Sequence, residues 1–90
     1  MLTAAERKAL KAKAHKLDPV VQIGTKGLTD EVIAEIDRAL GAHELIKVRA
    51  GSLDRDQRDA ALVSICERTS AEQVHQVGKV FVLFRKKPDE

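Results

Sequence analysis

Val20-Val21-Gln22-Ile23-Gly24-Thr25-Lys26-Gly27-Leu28-Thr29-Asp30-Glu31-Val32-Ile33 is the stretch on which the fold turns. Val20 to Ile23 is a β-branched run bounded by Pro19 and Gly24, which is a strand signal. Beyond Gly27 the apolar period changes from that of a strand to that of a helix. Thr29 fits an N-cap, and Asp30 and Glu31 suit the positive end of a helix dipole. Leu28, Val32, Ile33, Ile36 and Leu40 then form a continuous apolar arc, which Gly41 is expected to close. A strand feeding a helix through a glycine loop is the opening of a crossover unit.

The next segment supplies the second strand. Leu45-Ile46-Lys47-Val48-Arg49-Ala50 alternates Ile46, Val48 and Ala50 against Lys47 and Arg49, so one side faces a core and the other is cationic. Strand, helix, strand implies parallel pairing by a right-handed crossover. Gly51-Ser52 ends the strand, and Ser52 or Asp54 can cap a further helix to about Thr69, with Ala61, Leu62, Ile65 and Cys66 inward. From about Gln73 to Arg85 two strands flank Gly78-Lys79, a two-residue hairpin turn. Val80-Phe81-Val82-Leu83-Phe84 is apolar on both faces, as in a strand near the middle of a sheet covered on both sides or one at a partner surface. Upstream, Thr3-Ala4-Ala5-Glu6 is a capping box that starts a helix from Ala4 to His15 or Lys16, stopped by Asp18-Pro19. The expected order is αβαβαββ, an α/β fold of α+β-like, two-layer build with three helices and a four-stranded mixed sheet.

At 90 residues, 43% hydrophobic and 33% charged, the chain has the composition of one small globular domain without room for a deep enclosed active site. It is taken as a single domain over residues 1–86 with a short, partly basic tail at 87–90. One cysteine and no long apolar run point to a reducing, cytoplasmic setting, away from membranes. The net charge is only +2, but residues 1–26 sum to +4, 27–72 to −4 and 73–90 to +2. The near-neutral total conceals a polarised molecule with one positive face. Two Phe and no Tyr or Trp argue against binding nucleic acid by stacking bases on exposed rings.

The chemistry concentrates at Gly24-Thr25-Lys26-Gly27. Two glycines let backbone N–H groups approach a phosphate, the helix that follows adds unpaired amides, and Lys26 adds a mobile full charge. The spacing is not that of a Walker loop, so nucleotide hydrolysis has no support. A turn that needs glycine for geometry alone is the alternative. Arg7, Lys8, Lys11 and His15 share an arc of about 100° on the first helix, a basic stripe beside its packing face.

Three blocks carry a resemblance over nearly the whole chain: Lys13 to Thr29, His43 to Arg49 and Val77 to Arg85. Together the chain resembles the CRM domain, named for chloroplast RNA splicing and ribosome maturation, in its bacterial stand-alone YhbY form. The resemblance implies a fold similar to the C-terminal domain of translation initiation factor three, and a non-catalytic RNA-binding protein. Bacterial members associate with precursors of the large ribosomal subunit. The family's Gly-x-x-Gly loop falls on Gly24, Thr25, Lys26 and Gly27, and its basic first helix on Arg7, Lys8, Lys11 and Lys13. Phe84 stands where the family often has tyrosine.

Lys47 and Arg49 on the outward strand face extend the candidate surface, or pair with the acidic helices instead. Lys79 and Arg85 to Lys87 are weaker candidates. His15, His43 and His75 lack ligand spacing, and Cys66 lacks a base, so no metal, cofactor, small-molecule substrate or catalytic residue is expected. The expectation is therefore a monomer whose partner is ribosomal RNA in assembling particles. An adaptor docking on ribosomal or translation proteins through the acidic middle helices is the competing reading.

Overall fold

The structure, a computed structural model, describes residues 2–87. Its elements are α1 (Ala4–Ala14), β1 (Val21–Gln22), α2 (Asp30–His43), β2 (Leu45–Arg49), α3 (Arg55–Thr69), β3 (Glu72–Val77) and β4 (Val80–Phe84). Each helix starts where its local chemistry dictates. Thr3 and Glu6 close a reciprocal capping box on α1, each backbone N–H meeting the other's side chain at 3.1 Å. Asp54 and Gln57 do the same on α3 at 2.8 and 2.9 Å. The Thr29 hydroxyl caps α2 by accepting from the Val32 N–H at 3.2 Å.

The sheet order is β1-β2-β4-β3. β1 runs parallel to β2, with Val21 opposite Val48, and the other two pairings are antiparallel. The mixed α/β fold and the element order are as the sequence implies. β1 is shorter than its β-branched run: Val21 and Gln22 alone are in register with β2, while the flanking Val20 and Ile23 N–H groups each donate a single bond to it, at 3.0 and 2.8 Å.

Alternation on β2 and β4 divides the core. Ile46 and Val48 of β2 and Phe81 and Leu83 of β4 point to one side, where they pack with Ile33, Ile36 and Leu40 of α2 and Leu62 and Ile65 of α3. Burying a side chain such as Phe81, which is fully covered, stabilises the fold by about 1.5–3 kcal/mol. Val82 points to the other side and packs with Ala14 of α1 and Val74 of β3, with Leu10, Leu45 and Phe84 around them. Helices therefore cover both faces. The expected two layers become three, because the apolar run of β4 has a second face to bury and α1 is the element that buries it.

Two further details differ from the sequence reading. Gly41 does not end α2, which continues to His43 and stops at Glu44, a residue with φ of +62°. The Glu44 N–H still donates to Leu40 O at 2.9 Å, while the Glu44 carbonyl accepts from the Arg85 N–H at 2.9 Å, so the reversal occurs where the chain joins β2 beside β4. Arg85 then locks the helices to this end: its guanidinium donates to the Asp37 carboxylate at 2.5 Å and to the Thr69 carbonyl at 2.8 Å. Of the tail expected at 87–90, residues 88–90 lie outside the described residues. The Lys87 N–H donates to the Glu44 carboxylate at 2.7 Å.

Candidate nucleic-acid interface

The Gly24–Gly27 loop leaves β1 and enters α2. Its turn is closed by the Gly27 N–H donating to the Gly24 carbonyl at 3.0 Å. Gly27 has φ of +76°, a conformation that L side chains rarely adopt, so this glycine is required by geometry. Gly24 is different. Its φ is ordinary and a Cβ there would meet nothing within 4 Å, so no packing explains the absence of a side chain. Just upstream, the Ser52 hydroxyl donates to the Ile23 carbonyl at 2.9 Å and ties the loop's root to the β2–α3 connection. Among the described residues, the Thr25 and Lys26 N–H groups have no hydrogen-bond acceptor.

The loop lies against a shallow hollow of about 610 Å³ whose other wall is the first turn of α2. That wall carries Asp30 and Glu31, two carboxylates beside the single charge of Lys26. Asp30 accepts from Arg68 at 2.9 Å in an exposed ion pair. The loop alone is thus a weak anion site, since its helix N-terminus is already counter-charged by its own residues.

Neighbouring strands change the balance. The Ile23 N–H donates to Arg49 O at 2.8 Å, and the Ala50 N–H donates to Lys79 O at 2.7 Å. The glycine loop, the end of β2 and the β3–β4 turn therefore stand side by side at one end of the sheet, each with an exposed cation: Lys26, Arg49 and Lys79. Lys47 and Arg49 lie on the α1 side of β2, opposite Val82 and Val80 of β4. α1 covers only the far half of this face, over Leu45, Phe84 and Val74.

The basic residues of α1 divide among different tasks. Lys11 and His15 border a cleft between α1 and the sheet that also holds Lys47 and His75, with Lys8 one turn before Lys11. Lys13 borders a separate groove with Lys16, His43 and Glu44. Arg7 is turned inward: its guanidinium donates to the carbonyls of Gln73 and of Val74, the latter at 3.3 Å. It pins α1 to β3, while Lys8, Lys11, Lys47 and Arg49 share the open side of the sheet with the rim of cations at its end.

The family model of the CRS1 / YhbY (CRM) domain matches residues 2–85. The chain belongs to the CRM domain family. Among CRM relatives, an RNA-binding protein of Haemophilus influenzae is 43% identical over 84 residues, covering 93% of this chain and 85% of that protein. A Pseudomonas aeruginosa protein named as a probable RNA-binding protein is 40% identical over 87 residues, covering 97% and 84%. The solution structure of a Staphylococcus aureus protein superposes with a TM-score of 0.85 at 32% identity, covering 99% of this chain and 93% of that one. The two proteins thus share a fold over nearly the whole of this chain.

Sequence reasoning missed two features of this surface. One is the inward turn of Arg7, which requires knowing that β3 lies beneath α1. The other is His75, which strict alternation places away from Val74. A register shift between Gln73 and His75 puts His75 opposite Val82 instead, on the α1 side. The signal was present: Val74 and Val77 are three residues apart, a spacing that puts both on one face only when a bulge intervenes. His75 titrates below the ordinary histidine range, from burial first and then from the neighbouring charges of Lys11 and His15. The Cys66 thiol is pushed up by burial and by Glu72, so it is a poor nucleophile.

Proposed function

We propose that the protein binds ribosomal RNA without catalysing a reaction, and that it does so in the cytoplasm on assembling large-subunit particles. The supporting observation is the continuous cationic path from Lys26 across Arg49 and Lys79 at the end of the sheet to Lys47, Lys11 and Lys8 on its half-open face. A phosphate backbone laid along that path would meet the unused loop amides at one end and lysine charges along the rest. The relatives named as RNA-binding proteins support the RNA-binding part of this reading. Contacts of this kind are electrostatic and read shape more than base sequence, since both Phe81 and Phe84 serve the core.

Filter or mobility-shift titration of a large-subunit RNA fragment over a range of salt tests the surface. Lys26→Glu combined with Lys11→Glu is expected to weaken binding by about 10- to 100-fold and to flatten the log–log salt slope by about 0.7–0.9 for each lost phosphate contact. An unchanged slope in the folded variant overturns the surface. Crosslinking in cells followed by sequencing of attached RNA tests the setting, with enrichment on large-subunit precursors expected. Capture of a protein partner that survives nuclease treatment, with no such enrichment, would favour an adaptor.

A further inference from the structure

The cleft between α1 and the sheet has a composition that backbone binding does not explain. Its volume is about 600 Å³, within the range of small-ligand sites. Its floor is apolar: Val77, 58% exposed, sits opposite the half-buried Val80, and the buried Val82 lies in the next row. Its walls are mainly basic, with Asp18 the one carboxylate in the lining. His75, Val82 and Lys47 form one row across β3, β4 and β2, which sets the roots of His75 and Lys47 about 10 Å apart. Lys11 and His15, one helical turn apart on α1, border the same space. The bulge in β3 is what swings His75 into it, and the Arg7 guanidinium holds the Gln73 and Val74 carbonyls at that bulge.

Apolar floor and basic walls within one small volume match the two halves of a nucleotide. We propose that this cleft seats a single unpaired nucleotide of the bound RNA, its base on Val77 and Val80 and its phosphate among Lys11, Lys47, His15 and His75. The inference rests on the RNA-binding reading and deepens it, because the glycine loop and the sheet rim suit a continuous backbone whereas the cleft accepts a base only when that base leaves its helix. With Phe81 and Phe84 both in the core clusters, the valines supply the apolar contact that stacking on such rings supplies elsewhere. The charged and titratable groups facing His75 are Lys11 and His15 from α1, Lys47 from β2 and Asp18 from the α1–β1 connection. Three of these disfavour an imidazolium at His75 when they are charged, and an arriving phosphate reverses that balance. Occupancy should therefore increase as the pH falls through the histidine range.

The test is a ¹⁵N-labelled titration of the full chain with two RNAs, a single-stranded octauridylate and a blunt self-complementary duplex. The octamer is expected to shift the amide signals of His75, Val77 and Val80, and the duplex those of the Gly24–Gly27 loop and of the rim at Arg49 and Lys79, with the cleft valines silent. His75→Gln should weaken octamer binding by about five- to tenfold and duplex binding by less than about twofold. It should also abolish most of the strengthening between about pH 8 and pH 6. His15→Gln, on a different element, is expected to act in the same direction. A responsive loop with a silent cleft, or equal losses for both RNAs, overturns the nucleotide site and leaves RNA binding standing. Silence of loop and cleft toward both RNAs overturns the RNA-binding reading with it.

Discussion

The two faces of the sheet are built on opposite plans. On one, α2 and α3 seal Ile46, Val48, Phe81 and Leu83 beneath a continuous apolar layer that includes the fully buried Ile36, Leu40 and Ile65. On the other, α1 buries Ala14, Val74 and Val82 at one end and leaves the remaining half to Lys47, Arg49 and the open valines. The contrast teaches where stability and binding reside. A sealed face has no surface to offer a partner. A half-covered face has less to lose on mutation and can hold charges whose mutual repulsion the fold tolerates.

Adjacent residues of β4 test this most severely. Leu83→Ala should cost about 3–5 kcal/mol, since the surrounding helices cannot collapse into the void. That is a large part of the roughly 5–13 kcal/mol available to a domain of this length. Val82→Ala, on the α1 side, should cost about 1–2 kcal/mol. Chemical denaturation of both variants decides the matter, and equal losses would show that α1 closes its face as firmly as α2 and α3 close theirs.

The sealed face was the more legible in sequence, for a physical reason. Its helices declare themselves locally, through Thr29 and Asp54 as caps and through the arc of Ile33, Ile36 and Leu40. The two-sided apolar run of β4 likewise announced a strand with a second face to bury, though not whether a helix or a partner would cover it. What escaped depends on long-range pairing: the brevity of β1, the bulge that turns His75, the grip of Arg7 on β3, and the continuation of α2 past Gly41. The candidate site divides in the same way. Gly24 to Gly27 is a local motif and was visible, whereas the cleft exists only once β2, β3 and β4 lie in register. Charge counting marked α1 as basic but could not separate Lys11, on the open face, from Lys13, in another groove, or from Arg7, which is tied down.

The glycine loop joins the two faces, and its two glycines should separate stability from binding. Gly27→Ala is expected to cost about 1–2 kcal/mol, because alanine must adopt a positive φ. Thermal melting reads this as a drop of roughly 4–8 °C per kcal/mol in a domain of this size. Gly24→Asp faces open space and should move stability by less than about 0.5 kcal/mol, yet it places a carboxylate beside the free loop amides and should lower RNA affinity. Parallel losses of melting temperature and affinity in Gly24→Asp would instead mean that this glycine serves the turn alone. Arg7→Gln inverts the pattern. Loss of its carbonyl contacts should reduce stability by about 1 kcal/mol, while the salt slope of RNA binding stays where it was. A flattened slope would make Arg7 a phosphate contact and blur the division between the faces.

The smallest expected effect is the most discriminating, because its two components have opposite signs. Asp30 stands in the first turn of α2, where its charge suits the helix dipole, and it pairs with Arg68 across an exposed gap of 2.9 Å. The carboxylate is 92% exposed, so the pair itself contributes little, and Asp30→Asn should lower stability by no more than about 0.5 kcal/mol. The same carboxylate borders the hollow beside Lys26 and repels any phosphate brought to the loop amides. Removing it should strengthen RNA binding by about two- to threefold at low salt, with the gain fading as ionic strength rises. A residue that stabilises the helix while weakening the site is expected where the helix N-terminus serves as an anion contact. If Asp30→Asn leaves binding unchanged at low salt, the RNA backbone passes the rim at Arg49 and Lys79 without reaching the loop, and the half-open sheet face carries the interaction by itself.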